Sequence, residues 1–349
     1  MVEVTVVIPT RNRRVLLART LHSVLAQQDV DLQVIIVDDG GSDETAAAVA
    51  RLRDDRVEVV RHATSGGVSA ARNTGIDRAA APWVAFVDDD DLWSPRKLRS
   101  QLDALAADTD AGWSCTGAVH IDERCVITGQ GHPPDDGDVA ALMLRVNAVP
   151  GGGSGVVASR DLALSVGGFD VAMSNLADWD FYVRLALHAR LASVPAHHVG
   201  YFIHVQGMAH DVKRSALEHD YLRVKYGRER RAFDVELDDE EWLAYLSSMA
   251  FRGGHRWAAL RMHVELLAKY GRLMSVPAVV IGLLPPRLRQ LAGRVQSRLL
   301  PPTGGAPLEA LEWLEPYASG WLEPTVAEAG GRYDPRIREN NPPGSATAS

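Results

Sequence analysis

Cysteine is nearly missing: Cys115 and Cys125 are the only two in 349 residues. Two thiols cannot build a disulfide framework and lack the paired spacing of a zinc site, so a reducing compartment is expected. Lysine is almost as scarce. Lys97, Lys213, Lys225 and Lys269 are the full set and none follows a glycine, so there is no G-x-x-x-x-G-K-[ST] phosphate loop. No G-x-G-x-x-G follows the first β-type run either, and residues 150–155 (PGGGSG) come too late and lack its spacing. Basic charge is in deficit, 37 Lys and Arg against 45 Asp and Glu for a net −8, which excludes a general nucleic-acid binder. Long apolar runs are missing too. The longest, residues 273–284, is interrupted by Pro277 and falls far short of the ~20 residues that span a bilayer. The opening MVEVTVVIPT has no basic n-region, so no signal peptide is indicated. A cytoplasmic protein, working at most on the inner face of a membrane, is the expectation.

What is present is ordinary globular material, 46% apolar and 23% charged, enough for one large or two modest domains. Residues 2–8, 32–37, 57–60 and 83–87 are short β-branched or apolar runs of the kind found in buried parallel strands. Leu17, Leu21, Val24 and Leu25 recur at helical spacing between the first two. Ser42 is placed to cap a helix whose first turn holds Asp43 and Glu44. Ser94-Pro95 marks another helix start, with Leu98, Leu102 and Leu105 on one face. Such strand–helix alternation predicts an α/β fold with a doubly wound sheet. Beyond residue 111, CTGAVHIDE and CVITGQG suggest a hairpin, VPGGGSGVVAS a glycine-rich loop entering a strand, LADWDFYVRLALHA a helix, and ASVPAHHVGYFIHV a return to strand. The expected division is 1–110, 111–214, a helical extension over 215–300, and a largely disordered tail over 301–349 with one short helix near 308–314.

Two acidic clusters sit at strand ends, Asp38-Asp39 after the second run and Asp88 to Asp91 after the fourth. In open α/β sheets ligands bind beyond the carboxyl ends of the strands, so both clusters face one crevice. Neighbouring carboxylates about 6 Å apart repel by roughly 1–3 kcal/mol, so solvent, hydrogen-bond donors or a cation must make four in a row tolerable. A divalent metal, with hard carboxylate ligands and a substrate diphosphate completing its shell, is the expected answer.

The blocks VTVVIPTRNR, LHSVLAQQ, VIIVDDGGSDET, GGVSAARNTGI, WVAFVDDDDLWSPRKL, VGGFD and ADWDFYVRLAL occur in that order. Together they resemble glycosyltransferase family 2, inverting enzymes of the GT-A fold, over about residues 1–210. The resemblance implies a GT-A type, Rossmann-like doubly wound mixed sheet, here with a C-terminal helical extension. It implies a metal-dependent enzyme using Mn²⁺ or Mg²⁺. The donor would be a nucleoside-diphosphate sugar, UDP- ahead of dTDP- or GDP-. The acceptor would be a sugar, a lipid-linked compound or a small molecule, in bacterial glycan, glycolipid or secondary-metabolite glycosylation. Pro9, Thr10 and Asn12 would line the nucleotide pocket, Asp38 and Asp39 would meet the base, and Arg72 and Asn73 would lie on the nucleotide side. Asp88 or Asp89 would approach the ribose and Asp90 would hold the metal, with Asp91 supporting the turn into the Ser94-Pro95 helix. Asp89-x-Asp91 is an alternative register. Gly41 and Ala177 depart from the family pattern, which commonly has a serine and an acid there.

Inverting transfer needs a carboxylate that takes the acceptor proton from the side away from the leaving group. The resemblance assigns this to Asp178, with Asp180 as runner-up. It places His204 beside the metal, with His210 competing. Gly152 and Gly153 would shape the acceptor side, and Trp179 would stack on a sugar or pack in the core. Arg287, Arg289, Arg294 and Arg298 after an apolar run form a candidate surface for anionic lipid. The rival readings are a sugar-nucleotidyltransferase, which would carry a glycine-rich loop after the first strand, and a catalytically silent nucleotide-sugar-binding module.

Overall fold

The computed structural model describes residues 1–135, 137–203, 211–271 and 311–318. Their core is a nine-stranded mixed sheet in the order β3-β2-β1-β4-β8-β6-β9-β5, with β7 paired to β6 off this path. Strands β1 (Val4–Thr10), β2 (Leu32–Asp38), β3 (Val57–Arg61) and β4 (Trp83–Phe86) run parallel. Each pairs where the sequence pattern placed a buried run. All seven residues of β1 are buried because it has a parallel neighbour on both sides. Edge strand β3 is partly exposed along its length.

Helix α1 (Arg14–Leu25) buries Leu17, Leu21, Val24 and Leu25, the predicted stripe. Helix α3 (Val68–Arg78) lies so close to β1 that a Cβ at Gly75 would collide with the side chain of Val7. Two helix starts differ from expectation. Helix α2 (Thr45–Ala50) begins after Glu44, which is left-handed with φ 60°, and no side chain caps it. Asp43 instead accepts from Thr45 Oγ1 at 2.6 Å and from the Arg14 N–H at 3.0 Å, so Ser42 is not the cap. Helix α4 (Lys97–Ala107) starts two residues beyond Pro95, because the Ser94 hydroxyl pairs with His198 Nδ1 at 2.6 Å. Its Leu98, Leu102 and Leu105 are buried as predicted.

The second half joins the same sheet, which is continuous across residue 110. Short strand β5 (Leu92–Trp93) is antiparallel to β9. The expected hairpin is β6 (Ala111–Ile121) and β7 (Ile127–Gly131). Between β7 and β8 (Val156–Ser159) lie α5 (Val139–Arg145) and the glycine-rich 3₁₀ turn Gly152–Gly155. β8 is antiparallel to both β4 and β6, and leads through α6 (Arg160–Ser165) to α7 (Ala177–His188) and the long β9 (Arg190–Phe202). The extension is α8 (Val212–Lys225), α9 (Gly227–Ala232), α10 (Asp239–Arg252) and α11 (Arg256–Tyr270). The Asp238 N–H donates to the Arg145 carbonyl at 3.0 Å, tying the start of α10 to the end of α5.

In the described part of the tail, the short helix expected near 308–314 falls a few residues later. Residues 312–318 are a 3₁₀ turn and a short helix whose Leu314 and Tyr317 are buried beside Ile121 and Phe202. The apolar side chains of this segment cover the sheet, which a disordered segment would leave open. The predicted helices beyond residue 271, the arginine stripe 287–298, His204 and His210 lie outside the described residues. No helix among the described residues is long and apolar enough to cross a membrane.

Candidate active site

A cleft of about 590 Å³ opens at the carboxyl ends of β1 and β4. The aspartate run forms its floor, and the run is tolerable because donors surround it. Thr10 Oγ1 donates to Asp89 at 2.7 Å, and Arg13 reaches both Asp89 at 3.1 Å and Asp90 at 2.7 Å. Arg72 donates to Asp88 at 2.5 Å. Asp91 accepts from Ser154 Oγ at 2.5 Å and from the Phe202 N–H at 2.9 Å. It therefore ties β9 and the glycine turn to the acidic turn and does not serve the Ser94-Pro95 helix.

Burial alternates along the run, and this sorts the four carboxylates. Asp88 and Asp90 side chains are 24% and 13% exposed, Asp89 only 7%, and Asp91 is fully buried. Burial, reinforced by Asp90 and opposed by Arg13, pushes Asp89 up to about 7. Burial and the neighbouring Asp90 and Asp88 raise Asp91 well above the carboxylate range. Asp88 and Asp90 are thus the more open pair, while Asp89, which also borders the cleft, and Asp91 anchor the turn. Asp88 and Asp90, each shared with an arginine, are hard carboxylate donors of the kind Mg²⁺ or Mn²⁺ takes when a substrate phosphate supplies further oxygens. Among the described residues no three His, Cys, Asp or Glu side chains form a ready-made cage.

Asp178 stands in the same cleft, at the first turn of α7. Its Oδ1 accepts from the Trp179 N–H at 2.8 Å. Burial raises its pKa to about 6, opposed by the nearby Arg72 guanidinium. Arg72 is itself buried, and the charges of Asp88 and Asp178 hold its proton against that burial. Asp180 is committed elsewhere: it accepts from Arg184 at 2.6 Å, Lys225 at 2.6 Å and Tyr226 Oη at 2.7 Å, is fully buried, and does not line the cleft. Gly152 and Gly153 line the cleft as expected. A Cβ on Gly153 would sit 2.5 Å from Arg72 Nη2, so only glycine lets that guanidinium reach Asp88.

Other expected residues have different tasks. Pro9, Thr10 and Asp39 line the cleft, but Asp39 is saturated. Ser65 Oγ at 2.6 Å, His62 Nδ1 at 2.7 Å and the N–H groups of Gly66 and Gly67 at 2.8 and 2.9 Å fill its four acceptor positions and, against the opposing effect of burial, lower its pKa. A base N–H would have to displace one of them. Asp38 and Asn12 fasten the loop after β2: Gly41 N–H donates to Asp38 at 2.8 Å, and Ser42 N–H to Asn12 Oδ1 at 2.6 Å. Neither lines the cleft. Asn73 is likewise not a cleft residue, since its amide exchanges two hydrogen bonds with the Phe169 backbone, at 2.7 and 2.8 Å. Trp179 is 4% exposed and donates its indole N–H to the Met143 carbonyl at 2.7 Å, so it packs in the wall and offers no face to a sugar.

The sequence reading missed Arg13, although the basic tail of the first strand, PTRNRR, lies opposite the acid run in any such sheet. It also missed the far wall, built from Arg145, Asn147, Tyr201 and, at the start of and along α10, Asp238, Glu241, Trp242 and Tyr245. Nothing in the local pattern of α10 distinguishes it from an ordinary amphipathic helix.

The parallel half-sheet with carboxylates at its strand ends, extended by antiparallel strands, is a GT-A type fold. Residues 5–132 match the model of glycosyl transferase family 2. It is 22% identical over 243 residues, 66% of this chain and 80% of the other, to an uncharacterized glycosyltransferase of Haemophilus influenzae. It is 32% identical over 135 residues to the Campylobacter jejuni GalNAc(5)-diNAcBac-PP-undecaprenol beta-1,3-glucosyltransferase, covering 38% of this chain and 41% of that one. It is 26% identical over 144 residues to the Escherichia coli UDP-Glc:alpha-D-GlcNAc-diphosphoundecaprenol beta-1,3-glucosyltransferase WfaP, covering 41% of this chain and 57% of that one. The matches thus span about half the length of the last two. The crystal structure of Staphylococcus aureus TarS 1–349 in complex with UDP-GlcNAc shares the fold, with TM-score 0.52 and 16% identity over 85% of this chain and 88% of that one.

Proposed function

We propose that this protein transfers a sugar from a nucleoside-diphosphate sugar to an acceptor hydroxyl by a single in-line displacement with inversion. The observation that carries the reading is Asp178: a cleft-facing carboxylate raised to about 6, across Arg72 from Asp88. A base whose pKa lies close to the working pH combines a useful ionised fraction with real proton affinity. Asp178 takes the acceptor proton as the acceptor oxygen bonds to the anomeric carbon. The bond from that carbon to the diphosphate oxygen breaks, and the nucleoside diphosphate leaves with the electron pair. Arg13 and Arg72 give the acidic floor positive charge toward the departing diphosphate. Asp88 and Asp90 would hold Mn²⁺ or Mg²⁺, which when bound supplies further charge neutralisation for the leaving group. A UDP-linked donor and a lipid-linked acceptor are supported by the names of the E. coli relative and of the UDP-GlcNAc complex of TarS. The acceptor would then be met close to a membrane face.

The test is nucleotide release from UDP-, dTDP- and GDP-sugars with and without Mn²⁺. Metal-stimulated release from one donor class is expected, and Asp178→Asn should abolish transfer while sparing nucleotide binding. Release from no donor, with no thermal stabilisation by any nucleoside diphosphate, sinks the proposal.

A further inference from the structure

The far wall of the cleft is not built by the residues that match the family, since α10 lies more than a hundred positions beyond residue 132. Three of its features point to a ligand. The first is a stack of rings: His219 lies against Trp242 at 4.1 Å and 4°, and Trp242 against Tyr245 at 5.5 Å and 26°. Burial lowers the proton affinity of His219, so the inner ring is a neutral imidazole at physiological pH. Tyr245, the outermost ring, is 37% exposed and lines the cleft. The second is Asn147, a residue of the cleft lining whose buried Oδ1 has no hydrogen-bond partner among the described residues. A buried acceptor left unpaired costs about 1–3 kcal/mol, and a ligand hydroxyl would satisfy it. The third is charge: Asp238 and Glu241 line this wall together with the cation Arg145, which sits 3.5 Å from Asp238.

From these we infer that α10 is the acceptor-recognition wall and that the acceptor presents a neutral saccharide ring to it. An aromatic plate suits the C–H face of a pyranose, and a lone buried carbonyl suits one of its hydroxyls. The carboxylates of this wall, with Asp178 nearby, disfavour a uronic acid or a phosphorylated sugar at this position. The inference rests on the proposed glycosyl transfer and adds to it the acceptor class and the helix that selects it.

The experiment offers p-nitrophenyl β-D-glucoside, its N-acetylglucosaminide and its glucuronide as acceptors, with the donor chosen by nucleotide release. Transfer to at least one neutral glycoside and weak or no transfer to the glucuronide are expected. Tyr245→Ala and Asn147→Ala should each raise the acceptor KM by about tenfold, with a much smaller change in the donor KM. Tyr245→Phe, which keeps the ring, should retain the wild-type acceptor KM. Tyr245 is partly exposed and Asn147 Oδ1 has no partner among the described residues to lose, so neither alanine variant should lower the melting temperature appreciably. An unchanged acceptor KM, a donor KM raised as much as the acceptor KM, or a glucuronide used as well as the neutral glycosides overturns the inference. If nucleotide is released but no glycoside is glycosylated, the inference falls while the donor reading stands. If no donor is turned over at all, both fall together.

Discussion

Replacing Asp178 by asparagine should make the protein more stable at neutral pH while removing its activity. The ordinary carboxyl value of 3.8 rises to about 6 in the fold because burial outweighs the help from Arg72 and the Trp179 N–H. That rise corresponds to about 3 kcal/mol held against the ionised side chain. Between the two values the folded protein keeps a proton that the unfolded chain has released, so stability falls as pH rises through this window. By pH 8 the whole penalty is present; well below pH 4 it vanishes, because the side chain is then neutral in both states. The asparagine never ionises, so the variant's advantage should be small at pH 4, grow through pH 5 and 6, and level off near about 3 kcal/mol. In a protein of this size that is about 5 °C in Tm. Asp89 and Asp91 titrate abnormally too, but in both proteins, so the difference between the two stability curves isolates position 178. Urea denaturation of the ligand-free proteins at half-unit pH steps measures it. A variant less stable than wild type at pH 8, or a difference that does not depend on pH, refutes the claim that this carboxylate is kept at an energetic cost.

Asp180→Asn should do the reverse, since it leaves Arg184 and Lys225 without their shared carboxylate: a loss of about 3 kcal/mol, with nucleotide binding by the folded fraction intact. Loss of transfer at unchanged melting temperature would instead make Asp180 a reacting group. Asp91→Ala strips the acceptor from Ser154 Oγ and the Phe202 N–H, and should lower stability by about 2–4 kcal/mol in urea titration. No shift in midpoint would mean that Asp91 does not anchor β9.

Much of the fold is legible because its determinants are local. The β-branched runs that became β1, β2 and β3 need no long-range information to read as buried strands, and the leucine spacing of α1 and α4 names the buried face directly. Ser42 and Ser94 were misread for one physical reason. A capping hydroxyl is a preference, and a nearer donor or acceptor outbids it: Asp43 at the start of α2, His198 beside Ser94. Asn12, Asp38 and Asn73 stand next to the cleft in sequence, but each amide or carboxylate closes a neighbouring loop, and no residue pattern tells a loop fastener from a ligand contact.

The amino-acid order by itself settled that carboxylates gather at the ends of β2 and β4, since a strand's end is fixed by where its apolar run stops. The resemblance of ADWDFYVRLAL to the family's pattern also singled out Asp178. Only the tertiary structure divided four adjacent aspartates into a more open pair and a pair that anchors the turn. Burial depends on what comes across from elsewhere in the chain: Thr10 and Arg13 from the first strand and the loop after it, Ser154 from the glycine turn, Phe202 from β9. For the same reason only the folded chain could bring α10 to the acceptor side, where a helix with no distinguishing local pattern becomes a wall of the site.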